Sequence, residues 1–351
     1  MAAVMTSSQS DASNASMRAR SAPSGRVVAL TGAASFLGRN LVGVLEEDPS
    51  IARIVCIDIK APDTGGPKTR MYPIDLTTPA SEERVAEVIA AERVDTFLHL
   101  AFLSSPTHAT AWAHELESVG TMHVLNAARQ TKLRKFILWS QTILYGAHPT
   151  NPNFLTERHA LRADEEQAFF ADKIAAEREV ATYAAKSKGT VVTVLRTAPI
   201  VGPTVHNYVT RYLAERVIIT LLGFDPLWQF VHEVDAIAAF KLAIDRDFPG
   251  VFNIAGEGVL PISTVIKLAG RMSLPLFHPV AETMIAAAWA AQAAYAPPSF
   301  LRYLRYLCVA DGEKAAQEMG FRPAYTTREA LLDYIGAQRL RDVKLLQESP
   351  G

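Results

Sequence analysis

The chain has 351 residues, 49% hydrophobic and 20% charged, with a formal net charge of −1. That length and composition suit a globular protein with one large α/β domain, or a domain carrying a smaller lobe. The balanced charge excludes a general pull toward nucleic acid or an anionic membrane surface. With only Cys56 and Cys308, neither a disulfide framework nor a zinc site is expected, and both read as small buried hydrophobes of a reduced compartment.

Residues 1–25 are rich in Ser and Ala and lack the apolar run of a secretory signal, so a disordered tail is expected there. Strand-like runs then follow in order: RVVAL (26–30), RIVCID (53–58), TFLHLA (96–101), KFILWS (135–140) and TVVTVLR (190–196). Their unbroken apolar and β-branched content is what a parallel sheet buried on both faces requires. Between them ASEERVAEVIAAE and TMHVLNAARQTK carry helical spacing, with Ser81 and Thr121 as starts. This alternation predicts an α/β fold, a Rossmann-type doubly wound parallel sheet over residues 26–203, completed by about 231–258.

Beyond residue 203 the pattern shifts to longer loops, proline and mixed helices. It predicts a smaller, discontinuous C-terminal substrate lobe from 204–230 and 259–340, followed by a tail at 341–351. VHEVDAIAAFKLAI (231–244) reads as a helix returning to the main domain, starting near His232, Glu233 and Asp235. MIAAAWAAQAAYA (284–296) is too short and too alanine-rich to span a bilayer and reads as a packed amphipathic helix. No integral membrane segment is expected, and the location is read as cytoplasmic.

RVVALTGAASFLGRNLVGVL is a strand, a turn and a helix, with Gly32 and Gly38 in the first and third positions of a G-x-x-G-x-x-G loop. The first glycine permits the tight turn and the third lets helix and strand pack closely. The helix start would offer N–H groups and a positive dipole end to a pyrophosphate. Ser35 occupies the middle position, where its hydroxyl can donate a hydrogen bond. Asp58 follows Gly38 by 20 residues at the end of the next strand. A carboxylate there accepts from an adenosine ribose and repels a 2′-phosphate, which favours NAD over NADP, with Lys60 partly offsetting the repulsion. His99 reads as structural, Asp164, Glu165 and Glu166 as a solvated acidic run before a helix, and no histidine spacing suggests a metal.

Taken together, TGAASFLG, CIDI, YPIDL (72–76), LHLAF (98–102), VTVLRTAPIVGP (192–203), FVHEVDAIAA (230–239) and GVFNIAGEG (250–258) resemble landmarks of a known family. That family is the extended short-chain dehydrogenases/reductases, of the NAD-dependent epimerase/dehydratase type, and the resemblance spans about residues 26–340. It implies NAD binding by Gly32, Ser35, Phe36, Leu37, Gly38, Asp58, Asp75, Leu76, Ala101 and Lys173. It also implies a Ser/Thr, a Tyr and a Lys that together move a proton while hydride passes to or from the nicotinamide.

Here the set is altered. Lys173 is kept, but Phe169 stands at the tyrosine position and Gln141 at the Ser/Thr position, flanked by Ser140 and Thr142. Glu117 replaces the asparagine that supports the lysine, and Pro199 replaces a substrate-side asparagine. Gln141, Thr142, Tyr145 and Lys173 are therefore the candidate catalytic residues. The expected activity is an NAD-dependent oxidoreductase or epimerase with an atypical proton-transfer site, acting on a nucleotide sugar or another hydroxyl or carbonyl substrate. The alternative is a catalytically inactive NAD-binding scaffold or regulatory protein. The resemblance further implies a homodimer paired through helices within residues 108–130 and 166–186.

Overall fold

The structure is a computed structural model that describes residues 25–131 and 133–348. The expected tail at 1–25 thus lies outside the described residues, apart from Gly25. The apolar runs become β1 (Arg26–Thr31), β2 (Ile51–Asp58), β4 (Thr96–His99), β5 (Lys135–Gln141) and β6 (Val191–Thr197), with β3 (Thr69–Pro73) inserted after β2. β3 shows no apolar run because it is an edge strand with no fully buried residue. A seventh strand, Gly250–Ile254, closes the other edge. The order is Gly250–Ile254, β6, β5, β4, β1, β2, β3, and every pairing is parallel.

Parallel strands need crossover helices on both faces. Helix α1 (Phe36–Glu47) packs beside the helix Glu233–Asp245, while α2 (Ser81–Glu92), Gly120–Thr131 and Ala168–Lys186 form a second row. The strand order reverses between β1 and β4, and ligands of such sheets bind at that switch point. Helix α2 begins at Ser81 as expected. Thr121 does not begin a helix: it sits inside a helical stretch from Thr110 to Thr131, carried through by a π turn at Glu115–Val119. Its hydroxyl donates back to the Glu117 carbonyl instead of capping.

The residues after 200 build a second apolar core that includes Val209, Leu213, Phe230, Val265 and Tyr334. Short ribbons frame it: Val217–Leu221 pairs with Met272–Leu276, and Leu227–Trp228 with Leu260–Pro261. The helix Glu233–Asp245 returns to the main sheet, with the His232 ring accepting the Val234 N–H at its start. Asp235 anchors the lobe by accepting from the Ala324 and Tyr325 N–H groups at 2.8 and 3.0 Å. The last helix, Thr327–Glu348, runs into the segment expected to be a tail. No glycine or proline interrupts the chain between Gly336 and Pro350. Among the described residues no helix is long and apolar enough to cross a membrane.

His99, at the end of β4, ties the switch point together. Its Nδ1 lies 2.7 Å from Thr31 Oγ1 and its Nε2 2.8 Å from Thr121 Oγ1, and the Phe102 ring meets it edge-on. Complete burial pushes its pKa down to about 3, so the ring is held neutral. A histidine whose folded pKa is depressed stabilises the fold above its unfolded value of about 6.5 and loses that contribution as pH falls toward 3. Stability should therefore drop on acidification below about pH 6.5, by about 1.4 kcal/mol per pH unit from this group. Thermal melts of the protein and of His99→Gln across pH 7.5–5 check this, with a shallower slope expected in the variant.

Candidate cofactor and substrate site

The turn between β1 and α1 is fixed by backbone approach. Gly32 has φ +66°, and a Cβ on it would stand 2.7 Å from the Leu100 carbonyl oxygen and 2.9 Å from the Ala101 nitrogen. At Gly38 a Cβ would fall 2.2 Å from the Gly32 carbonyl oxygen. Ser35, between them, has an ordinary extended conformation (φ −65°) and caps α1 by accepting the Gly38 N–H at 3.1 Å. The middle position therefore tolerates a Cβ. The first-turn N–H groups of Phe36 and Leu37 have no intrahelical acceptor and, with the helix dipole, suit a diphosphate. Asp58 accepts from the Ala34, Ile59 and Lys60 N–H groups, which holds its carboxylate at the end of β2.

A cavity of about 350 Å³ opens at this turn. It brings together Ser35, Phe36 and Leu37 with Gln141 from the far strand, and adds Arg39, Phe102, Trp139 and Tyr208. Asp58, Asp75, Leu76 and Ala101 lie outside it. Asp75 accepts from Thr77 in an exposed turn, while Leu76 is buried under Gly120 and Ala101 faces Gly32. Arg39, Trp139 and Tyr208 are additions to the set expected from the sequence. Arg39 was signalled by its place directly after Gly38, but nothing local marked the other two. The glycine cradle, the α1 start and the placed carboxylate fit a dinucleotide.

A second cavity, of about 400 Å³, lies between sheet and lobe and shares Pro199 and Tyr208 with the first. Thr142 and Ile143, in the short 3₁₀ turn after β5, line this second cavity. Gln141 and Thr142 thus face adjoining spaces. Among the described residues neither side chain has a hydrogen-bond partner within the protein, so both are free for a ligand.

Lys173 is placed differently from the expectation. Its ammonium donates to both Glu117 carboxylate oxygens at 2.8 Å and lies 3.8 Å from the centroid of the Phe169 ring. Both charged side chains are almost wholly buried, and Glu117 also accepts the Leu103 N–H. Burial pushes the Glu117 carboxyl up and the Lys173 ammonium down, with their mutual attraction opposing both. Neither Lys173 nor Phe169 lines either cavity. The π turn delivers Glu117 to this lysine, and Phe169 packs among Phe170, Tyr208 and Phe300.

Tyr145 is also not at the cavity wall. Its hydroxyl donates to Asn253 at 2.8 Å and accepts from Arg196 at 2.8 Å, inside a buried network that continues through Glu177 to Ser140. Burial pushes its pKa up to about 12. Tyr145 and Ser140 are therefore spent on structure. Of the four candidate catalytic residues, the structure brings only Gln141 and Thr142 to a ligand space. Cys56 is buried, whereas Cys308 is only partly covered and lines the larger cavity.

Removing one partner of a buried pair leaves the other charged and unmatched, at a cost of about 3–5 kcal/mol. Lys173→Met and Glu117→Leu should each lose about that much unfolding free energy in urea titrations. The double replacement should recover most of the loss. A double variant as unstable as the sum of the singles would show that the pair is not coupled.

An uncharacterised protein of Mycobacterium tuberculosis is 30% identical over 325 residues, covering 91% of this chain and 85% of its own. A 3-diazoavenalumate denitrifying reductase from a Streptomyces species is 26% identical over 244 residues, 67% of this chain and 77% of that protein. In fold the chain is similar to the UDP-glucose 4-epimerase of Thermotoga maritima solved with UDP-glucose, with a TM-score of 0.69 at 18% identity, covering 90% of this chain and 99% of the other. The model of the NAD dependent epimerase/dehydratase family matches residues 28–255, from β1 through the seventh strand of the sheet, and the chain belongs to that family.

Proposed function

We propose that the protein binds NAD across the β1–β4 switch point and acts as an oxidoreductase on a carbonyl or hydroxyl substrate without a tyrosine–lysine proton relay. The observation that carries this reading is the junction of the two cavities. Ser35, Phe36 and Leu37 stand on one side of the cofactor space and Gln141 on the other, with Thr142 next to it in the adjoining cavity, both with unengaged polar side chains. Bound NAD supplies or accepts a hydride, and the accompanying proton would pass between the substrate oxygen and solvent by way of the Thr142 hydroxyl. The Gln141 amide and Thr142 hydroxyl would orient and polarise a substrate oxygen by hydrogen bonding. With the ammonium of Lys173 closed on Glu117, that lysine is not free to lower the pKa of a phenol, and position 169 has no phenol. Epimerisation needs an oxidation and a re-reduction, each with its own proton transfer, whereas single-direction oxidoreduction needs one and fits this site better.

The sequestered Lys173 also favours a second reading, a non-catalytic NAD-binding protein. In either case the reading takes the protein as cytoplasmic and paired with a second copy through the helices at Thr110–Thr131 and Ala168–Lys186. Trp112 and Met122 stand exposed on the first of these helices in support.

Calorimetry should show tighter binding of NAD(H) than of NADP(H), with Asp58→Ser narrowing the difference. Absence of binding to either would overturn the cofactor assignment. Phe169→Tyr combined with Glu117→Asn supplies a phenol and releases the lysine. Turnover on hydroxyl and carbonyl substrates should then rise by about 10²-fold, within the range for acid–base help. Activity absent from both the native protein and this variant would favour the non-catalytic reading.

A further inference from the structure

The larger cavity has walls that say what it takes. Eight aromatic residues line it, among them Tyr208, Tyr212, Trp228, Phe230, Phe300 and Tyr303. Several of their polar atoms are already turned to backbone. Trp228 Nε1 donates to the Tyr303 carbonyl at 3.1 Å, the Tyr212 hydroxyl to the Ile219 carbonyl at 2.9 Å, and the Tyr303 hydroxyl to the Ile143 carbonyl at 2.8 Å. The Gln229 amide is likewise closed on Ala310, donating at 3.1 Å and accepting at 3.0 Å. What these side chains present to the space is mainly carbon. Val209, Ile218, Leu227 and Ile285 complete the apolar wall.

Charge points the same way. The one charged side chain among the lining residues is Glu215, an acid. Two guanidinium groups lie against lining rings, Arg211 over Tyr295 and Arg305 over Tyr306, without themselves lining the cavity. A nucleoside diphosphate brings at least two negative charges, and charge taken out of water without a partner costs several kcal/mol. Pro199 supplies no side-chain donor at the wall shared with the cofactor space. Val217 and Met284 both line the cavity and are exposed, so apolar side chains continue to its mouth beside the exposed Glu215. At about 400 Å³ it lies within the range of sites for small organic ligands.

We propose that this cavity binds an uncharged, largely apolar aromatic or alicyclic molecule, and not a sugar nucleotide. Its single polar end is directed to Thr142 and Tyr208, where the two cavities meet. As a statement of substrate class the proposal rests on the cofactor reading above. As a statement about the cavity it is measured separately.

The test uses the full chain saturated with NAD, with the neutral polycyclic dye Nile red as probe and Trp fluorescence as a second signal, since Trp228 is in the wall. UDP-glucose is the anionic competitor. Nile red should bind once per chain with a Kd on the order of micromolar. Ala288→Trp and Ala294→Trp fill the space from two different segments, and each should weaken the dye at least about tenfold, a change of about 1.4 kcal/mol. Neither alanine lines the cofactor cavity, so NAD affinity by calorimetry should be unchanged in both variants. Thermal melts of each variant establish that it is folded, and having two variants keeps the test open if one is not.

UDP-glucose should neither bind nor displace the dye. Displacement by UDP-glucose, absence of dye binding, or dye binding unaffected in the folded variants would each overturn the proposal. Loss of NAD binding with the dye results as expected would overturn the cofactor reading and leave the cavity's ligand class standing.

Discussion

The pair between Lys173 and Glu117 fixes the relation of the two helices that back the site. It ties Ala168–Lys186 to the π turn at Glu115–Val119, and through the Leu103 N–H it also fixes the loop that leaves β4. Two buried charges hold only if each is met, and here the ammonium has two carboxylate oxygens and the face of an aromatic ring. Phe169 is integral to this arrangement. Its ring covers the lysine on one side and joins Phe170, Tyr208 and Phe300 on the other. The lysine has become part of the interior, and the unengaged polar side chains stand at the strand end, Gln141 at the smaller cavity and Thr142 at the larger.

A second buried polar network serves the same division. Arg196, on β6, meets Glu177 and the Tyr145 hydroxyl, and Asn253 joins that hydroxyl to the Leu155 and Asp311 carbonyls. This links β6, the seventh strand and the turn after β5 beneath the cavities. One side of the site is thus rigid and closed, and the other is open and apolar. The family's sheet and glycine turn are retained while Lys173 and Tyr145 are held in buried polar networks.

The cofactor turn was legible in the sequence because its constraint is local. Gly32 and Gly38 are demanded by backbone atoms within the same strand–turn–helix and the adjacent β4 loop, and the flanking apolar runs identify the strands. The loss of the phenol was legible too, since Phe169 is read directly from its distance to Lys173. What the lysine does instead was not. Glu117 precedes it by 56 residues, and its direction depends on a π turn that no residue pattern announces. Tyr145 looked available because its neighbours in sequence belong to the site, whereas its partners Arg196 and Asn253 come from other strands. The larger cavity is not legible in the sequence because its walls are gathered from positions 142 to 308, each ordinary when taken alone.

The π turn also sets a rule for chain length. One residue beyond an α-helical repeat rotates everything after it by about 100° relative to everything before it. Ahead of the turn Ala113 faces inward and Trp112 outward; behind it Val124, Leu125 and Ala128 face the core. These two stripes are in register with their neighbours only because of the extra residue. A deletion that relaxed the segment to plain α-helix would turn one stripe out of the interior while changing no side chain's identity. Between Thr110 and Thr131, the number of residues is as much a structural constraint as their chemical character.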